Sequence, residues 1–174
     1  MRSTLLILTF MMLSIETRGQ LLKKTDTFVG GRVALGSVAG ASAGFAATGE
    51  YGFDNDLGLI AVIGYSGYTD DFGYGERSHT NVLLMGGVSY HHKLIQDEKF
   101  DTFGSVAIGY NVASTSWKWK NNPLNLGEPS ASVGGIVIGF SANLRYFLSP
   151  QWAVTGSIGY GLGVLSVGAD YRIP

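Results

Sequence analysis

Asp70, Asp71, Glu76, Ser78 and His79 crowd into the stretch 69 to 79. Together they hold the ingredients of hydrolysis: a hydroxyl, an imidazole and carboxylates, provided a nucleophile or base is held beside an orienting partner. Polar loops carry the same residue types for solvation alone, and the sequence predicts no catalysis. His91 and His92 raise the possibility of a metal site, but neighbours on a strand point to opposite faces and cannot easily grip one ion. A histidine at the level of lipid headgroups is the simpler expectation, and no cofactor or metal is predicted. The run Gly159-Tyr160-Gly161-Leu162-Gly163 lacks dinucleotide-binding spacing and a following helix, so it reads as a tight hairpin. Trp117, Lys118, Trp119 and Lys120, followed by Asn121-Asn122-Pro123, form the strongest surface feature. On an extended segment both Trp project to one side and both Lys to the other, which suits headgroups or the acidic patch of a partner.

Four charges are harder to explain as solvated surface. Arg32, Glu50, Arg145 and Asp170 sit in the middle of segments that otherwise alternate apolar and small residues. Two are positive and two negative, so a charge network between facing strands follows, with Arg32 between Glu50 and Asp170 and Arg145 reaching across. Partly buried charges need such partners, and arginine can bond two carboxylates through its fork of donors.

The elements that would position these residues are strands. Alternation predicts them near 28 to 36, 44 to 53, 57 to 67, 80 to 92, 102 to 112, 134 to 147, 151 to 160 and 163 to 173. One parity is large and apolar, as in Val33, Phe45, Leu59, Ile63, Leu84, Val106, Ile138 and Val167. It places Tyr51, Tyr65, Tyr90, Tyr110, Tyr146, Trp152, Tyr160 and Tyr171 towards strand ends, where half-polar rings suit two headgroup levels. The other parity is small or polar, as in Ala34, Thr48, Ser89, Ser105, Asn143, Thr155 and Ser166. Every lysine lies outside the predicted strand cores.

Composition points the same way. Only 14% of residues are charged, the net charge is -1 and there is no Cys, which argues against nucleic-acid binding, disulfide stapling and lipoprotein anchoring. Mean hydropathy is positive, yet no segment beyond the N-terminal one offers the ~18 uninterrupted apolar residues of a spanning helix. Because a bilayer leaves no water for unpaired backbone groups, the expected fold is all-β: an eight-stranded antiparallel up-and-down transmembrane barrel. Residues 1–19 read as a cleaved signal peptide: Arg2 is basic, Leu5 to Ile15 is apolar, and Thr17-Arg18-Gly19 precedes cleavage before Gln20. Residues 20–174 then form one domain. The connections at Asp54-Asn55-Asp56, Lys93 to Phe100 and Ser149-Pro150 are short, whereas Thr69 to His79 and Ala113 to Val133 are long external loops, which puts both termini in the periplasm. The short connections at Ser37 to Ala43 and Gly161-Leu162 fit that alternation less well.

The segments Gly139 to Phe147, Ser149-Pro150-Gln151-Trp152, Gly159-Tyr160-Gly161-Leu162 and Val167 to Ile173 resemble the closing strands of small outer-membrane barrels. They are most similar to the porin-like outer membrane protein beta-barrel domain group common in Bacteroidota, whose architecture is related to OmpX and the OmpA membrane domain. The last strand also resembles the signal read by the outer-membrane assembly machinery, with Gly168, Tyr171 and Ile173 in the relevant places, although Ile173 replaces the usual aromatic and Pro174 follows it. The resemblance implies a Gram-negative outer-membrane address, contact with outer-membrane lipids and lipopolysaccharide, and assembly-machinery recognition. It specifies architecture more than activity. The expected role is a structural or accessory subunit of a larger complex, working through its loops or wall, with small-ligand binding or a narrow porin-like transport barrel as the alternative and a rim hydrolase behind both. The processed protein is expected to begin at Gln20, and an intact mass that retains Met1 to Gly19 would contradict it.

Overall fold

The computed structural model describes residues 22–36, 41–122 and 127–174. Eight strands follow in chain order: β1 (Thr27–Leu35), β2 (Ala43–Asp54), β3 (Leu57–Asp71), β4 (Gly75–His91), β5 (Phe100–Trp119), β6 (Ser130–Phe147), β7 (Trp152–Tyr160) and β8 (Leu165–Ile173). Each pairs antiparallel with its neighbour in sequence, and β8 closes on β1 to complete a barrel.

Register fixes its geometry. From Gly30 the pairing runs through Thr48, Val62, Met85 and Gly109 to Val137, and the other way through Asp170 and Ala153 to Phe147, so the ring closes ten residues displaced along β6. Such a stagger requires strands tilted by roughly 40° to the barrel axis. The nine-residue strands β1, β7 and β8 then rise about 23 Å at ~3.3 Å per residue, close to one hydrocarbon thickness.

The outer wall is the apolar parity. Val33, Phe45, Ile63, Leu84, Val106, Ile138 and Val167 are all exposed on it. Tyr65, Tyr110 and Tyr160 stand outward near one end, and Tyr51, Tyr90 and Trp152 near the other. Tyr146 and Tyr171 are half-buried because they lean on Phe100 and Trp152, with ring centres 4.9 and 5.0 Å apart.

Two expectations need correction. First, the stretches read as loops at 69 to 79 and 113 to 133 are largely strand, since β3 and β5 run on to Asp71 and Trp119 while β4 and β6 begin at Gly75 and Ser130. Past the tyrosines the outer face turns polar while the inner one mixes His79 and Thr115 with Trp117 and Trp119, so the apolar contrast that reveals a strand fades while β-forming Thr, Tyr and Trp continue. Cross-strand hydroxyl pairs hold the extensions, at 3.2 Å for Thr69 with Ser78 and 2.8 Å for Ser114 with Ser132. Second, the inner face is not uniformly small or polar. Leu83, Met85 and Ala107 form a buried cluster there with Ile60, Val62, Val137 and Leu162 against it.

The short turns at the termini end form as expected. Asp56 adopts φ 62° and the Asn55 amide donates to the Asp54 carboxylate at 2.9 Å, while the Ser149 hydroxyl accepts from the Trp152 amide at 3.0 Å. The β7–β8 turn is short although it lies at the opposite end, with Gly161 at φ +117° in a conformation that suits glycine. Most of the connection from Ser37 to Ala43 lies outside the described residues, as does the segment 1–19.

A charge at mid-height on the outer wall should be far worse than one beyond the tyrosines. Val106→Lys is expected to lose about 2–4 kcal/mol in urea unfolding from lipid vesicles, and Ser116→Lys, on the same face of the same strand, to stay within about 0.5 kcal/mol. Equal effects would contradict a bilayer boundary near Tyr110.

Candidate functional site: a filled lumen and an overhanging sheet

Arg145, from β6, is the centre of the lumen. Its Nε donates to Asp170 at 2.9 Å, Nη1 to Asp101 at 3.0 Å and Nη2 to Glu50 at 2.7 Å. The guanidinium carbon lies 4.2 Å from the centre of the Phe28 ring and 4.8 Å from that of Phe103. His91, from β4, bridges two of the same carboxylates: Nδ1 is 2.8 Å from Asp101 and Nε2 is 2.9 Å from Glu50. With an ionised oxygen facing each ring nitrogen, both nitrogens donate and the ring is an imidazolium. Ser89 and Thr155 add hydroxyl donors to Glu50 at 2.5 Å and Asp170 at 2.6 Å. Arg32 completes the set, 2.7 Å from Asp170.

Every strand except β3 supplies a side chain to this cluster, and β3 makes room for it. A Cβ at Gly58 would collide with the Ser89 hydroxyl and crowd Glu50. Three carboxylates face two guanidinium groups and one imidazolium, so the formal charges cancel. The three carboxylates and Arg145 are each no more than 6% exposed, and such burial is tolerable only because each is paired.

All four expected charges therefore meet in the lumen, but their pairing differs. Arg32 bonds Asp170 and does not lie between it and Glu50; Arg145 does. Register explains it, because Arg32 pairs with Ala46 whereas Glu50 pairs with Phe28, four residues down β2, roughly 13 Å along the strand. Two members were missed. Asp101 lies one residue before the predicted start of its strand, and His91 is a lumen residue rather than a headgroup one; the Ser89 parity reaches His91 one step on, and the Ser105 parity reaches Asp101 two steps back, past Phe103. His92 points the other way and stacks on Tyr90. No group of His, Cys, Asp or Glu among the described residues is arranged to hold a metal.

The cluster is flanked on both sides by apolar side chains. Leu22, fully buried, lies against Gly52 and Gly58 at the termini end, and its carbonyl accepts the Asp56 amide at 3.1 Å. At the other end Leu83, Met85 and Leu162 fill the bore. A partly open cavity of about 110 Å³ runs between cluster and apolar plug, lined by Ser105, Ser141, Asn143, Ser157 and Ser166 among others, with room for a handful of waters.

Above the lumen the barrel wall becomes one-sided. The β2–β3 pairing stops at Gly44 with Ser66 and the β6–β7 pairing at Phe140 with Tyr160, while β3, β4, β5 and β6 continue together as a four-stranded sheet. Trp117 and Trp119 extend the inner parity of β5, so both project to one side, away from Lys118. They meet edge to face at 5.3 Å, Phe72 and Tyr74 pack on Trp117, and Arg77 lies 5.8 Å from its ring centre. Lys120, just past β5, pairs with Asp71 at 2.5 Å, which holds Asp71 below the usual carboxylate range and raises the lysine.

Of the residues considered for hydrolysis, Asp71, Glu76 and Ser78 take the outer face of this sheet and Asp70 and His79 the inner. His79 stacks on Tyr68 with ring centres 4.5 Å apart, and its Nδ1 is 3.1 Å from the Thr115 hydroxyl. Its Nε2 is 3.7 Å from Asp70, beyond hydrogen-bond length. Gly168, Tyr171 and Ile173 lie on β8, Gly168 against the Gly31 carbonyl where no Cβ fits.

Solved structures share this architecture. Ail, the attachment invasion locus protein of Yersinia pestis, crystallised with the heparin analogue sucrose octasulfate, superposes with a TM-score of 0.53 at 16% identity over 86% of this chain and 99% of its own. The fold is that of small outer-membrane β-barrels. Neisserial surface protein A gives a TM-score of 0.52 at 14% identity (85% and 96% of the two chains), and a de novo designed transmembrane β-barrel gives 0.55 at 17% (87% and 98%). No family model and no curated protein matches the sequence.

Removing the hub should hurt more than removing the peripheral cation. Arg145→Met leaves three buried carboxylates short of a counter-ion and is expected to cost about 3–5 kcal/mol, whereas Arg32→Ala, with Asp170 still held by Arg145 and Thr155, should cost on the order of half that. Urea unfolding in lipid vesicles measures both; an equal loss would contradict the hub.

Proposed function

We propose that this protein is a non-enzymatic anchor of the outer membrane that displays its four-stranded sheet outside the cell as a docking surface, as an accessory subunit of a larger envelope complex. One contrast carries the reading: the lumen is largely filled by ions, apolar side chains and Leu22, while β5 overruns the bilayer-length strands to twenty residues. At the same tilt that length rises about 50 Å, twice what spanning requires. A porin-like role has the narrow, side-chain-filled bore against it.

In this reading the signal peptide is removed before Gln20, both termini lie in the periplasm, Gly168, Tyr171 and Ile173 address the assembly machinery, and the apolar wall contacts lipid and lipopolysaccharide. The porin-like Bacteroidota group, with its OmpX-related architecture, is the proposed kinship; its support is the closing-strand resemblance and the eight-stranded ring. Ail's sulfated ligand suggests a polyanion as a second partner class, but Lys120 is already paired with Asp71 and Arg77 lies over Phe72 and Trp117. A protein partner fits the aromatic tip better, with Phe72 and Tyr74 exposed.

Purified protein in planar bilayers should show no conductance. After gentle detergent extraction from its own cells it should migrate in a larger assembly, and the pair Tyr74→Ala with Trp119→Ala should release it as a lone barrel that still shows the heat-dependent gel shift of a folded one. Steady conductance, or a lone barrel from the unaltered protein, would overturn the proposal.

A further inference from the structure

We infer that the open side of β6, from Ser130 to Ile138, receives an extended segment of a partner polypeptide as an added strand. The inference rests on the docking reading above and names the kind of partner. β7 joins β6 only from Phe140 downward, so among the described residues no strand pairs with the β7 side of Ser130–Gly139. The Trp117 amide donates to the Pro129 carbonyl, which fixes the phase of the ladder: residue 129 and the odd-numbered ones after it turn their backbone groups to β5. Ser130, Ser132, Gly134, Ile136 and Ile138 therefore turn N–H and C=O outward. A row of alternating donors and acceptors at strand spacing is matched by another strand.

Exposed edges of this kind are normally guarded by charge, proline or a bulge. The opposite free edge of the sheet is guarded: β3 ends in Asp70 and Asp71. The β6 edge carries no charge and no proline from Ser130 to Phe140. Its side chains are small or apolar, and Ile136 is 75% exposed. The lower part reaches the level of Tyr110, which pairs with Ile136 and whose ring covers Gly134. There the headgroups begin and water becomes a poorer partner for open backbone groups.

The occupant is not a second copy of this barrel. Two copies sharing a membrane would present β6 edges related by a twofold axis along the membrane normal. With each strand tilted by roughly 40°, the edges would cross at about 80°, far from the ~20–25° between paired strands. A segment free to choose its direction meets no such conflict, so the partner contributes an extended, uncharged stretch from a loop or terminus.

The test uses the full protein in lipid nanodiscs and, as probe, a capped nonapeptide of alternating Thr and Val. Binding should slow amide exchange by about tenfold or more at Ser130, Ser132, Gly134, Ile136 and Ile138 and leave Ala131, Val133, Gly135 and Val137 unchanged. Ser132→Pro removes an outward N–H, a position where an edge strand tolerates proline, and should weaken binding about tenfold, whereas Ser132→Ala should not. A peptide N-methylated at alternate residues should fail in the same way against the unaltered protein, which keeps the test decisive if the proline variant misfolds. No binding, or binding without the alternating protection, would overturn the inference. If Ser132→Pro folds and stays in the larger assembly while the Tyr74 and Trp119 pair leaves it, the edge inference fails and the docking reading stands. Recovery of the unaltered protein as a lone barrel sinks both.

Discussion

A guanidinium enclosed by protein inside a bilayer must find its counter-charges within the molecule, and Arg145 finds three of them on three other strands. That demand reaches the whole ring. Glu50, Asp101 and Asp170 come to one point only if β2, β5 and β8 keep their register, and a slip of one residue in any of them would send its carboxylate into lipid. The cluster thus works as a register lock at the end of the barrel where the strands are joined by short turns. His91 belongs to the lock in a specific way, because its two donors share the carboxylates with Arg145 and bring the formal charges to balance.

The apolar plug does a different job at the other end of the bore. Leu83, Met85 and Leu162 exclude water by volume, without directional bonds, and they stand where the wall is about to lose half its strands. The filled centre leaves the four long strands free to vary. Their outer face passes from Leu84, Val106 and Ile108 to Ser78, Ser114 and Ser116 as the chain leaves the bilayer, with the tyrosines at the crossing.

How much of this was readable from the sequence follows from where side chains alternate in chemistry. Inside the bilayer each strand must be apolar outside and compact within, so the eight strands, the closure and the four charges Arg32, Glu50, Arg145 and Asp170 all announced themselves. Beyond Tyr65 and Tyr110 both faces meet water, alternation carries no signal, and hairpins looked like loops. Asp101 was lost to a boundary drawn one residue late. The partner of each charge could not be read because parity gives the face but not the height, and height depends on the ten-residue stagger of the closed ring.

That stagger also explains why the overhang has two unlike edges. Four strands can outgrow a barrel together because their inner pairings satisfy one another, and only the first and last are left with an open side. On β3 the open part is short and ends in two aspartates, whose charge and hydration oppose an incoming strand. On β6 it runs from Ser130 to Ile138 with nothing to oppose one, and its lower end meets the headgroup level. A surface kept soluble by its outer serines and threonines gains nothing from leaving that one edge unguarded, unless the edge is where the sheet is meant to grow.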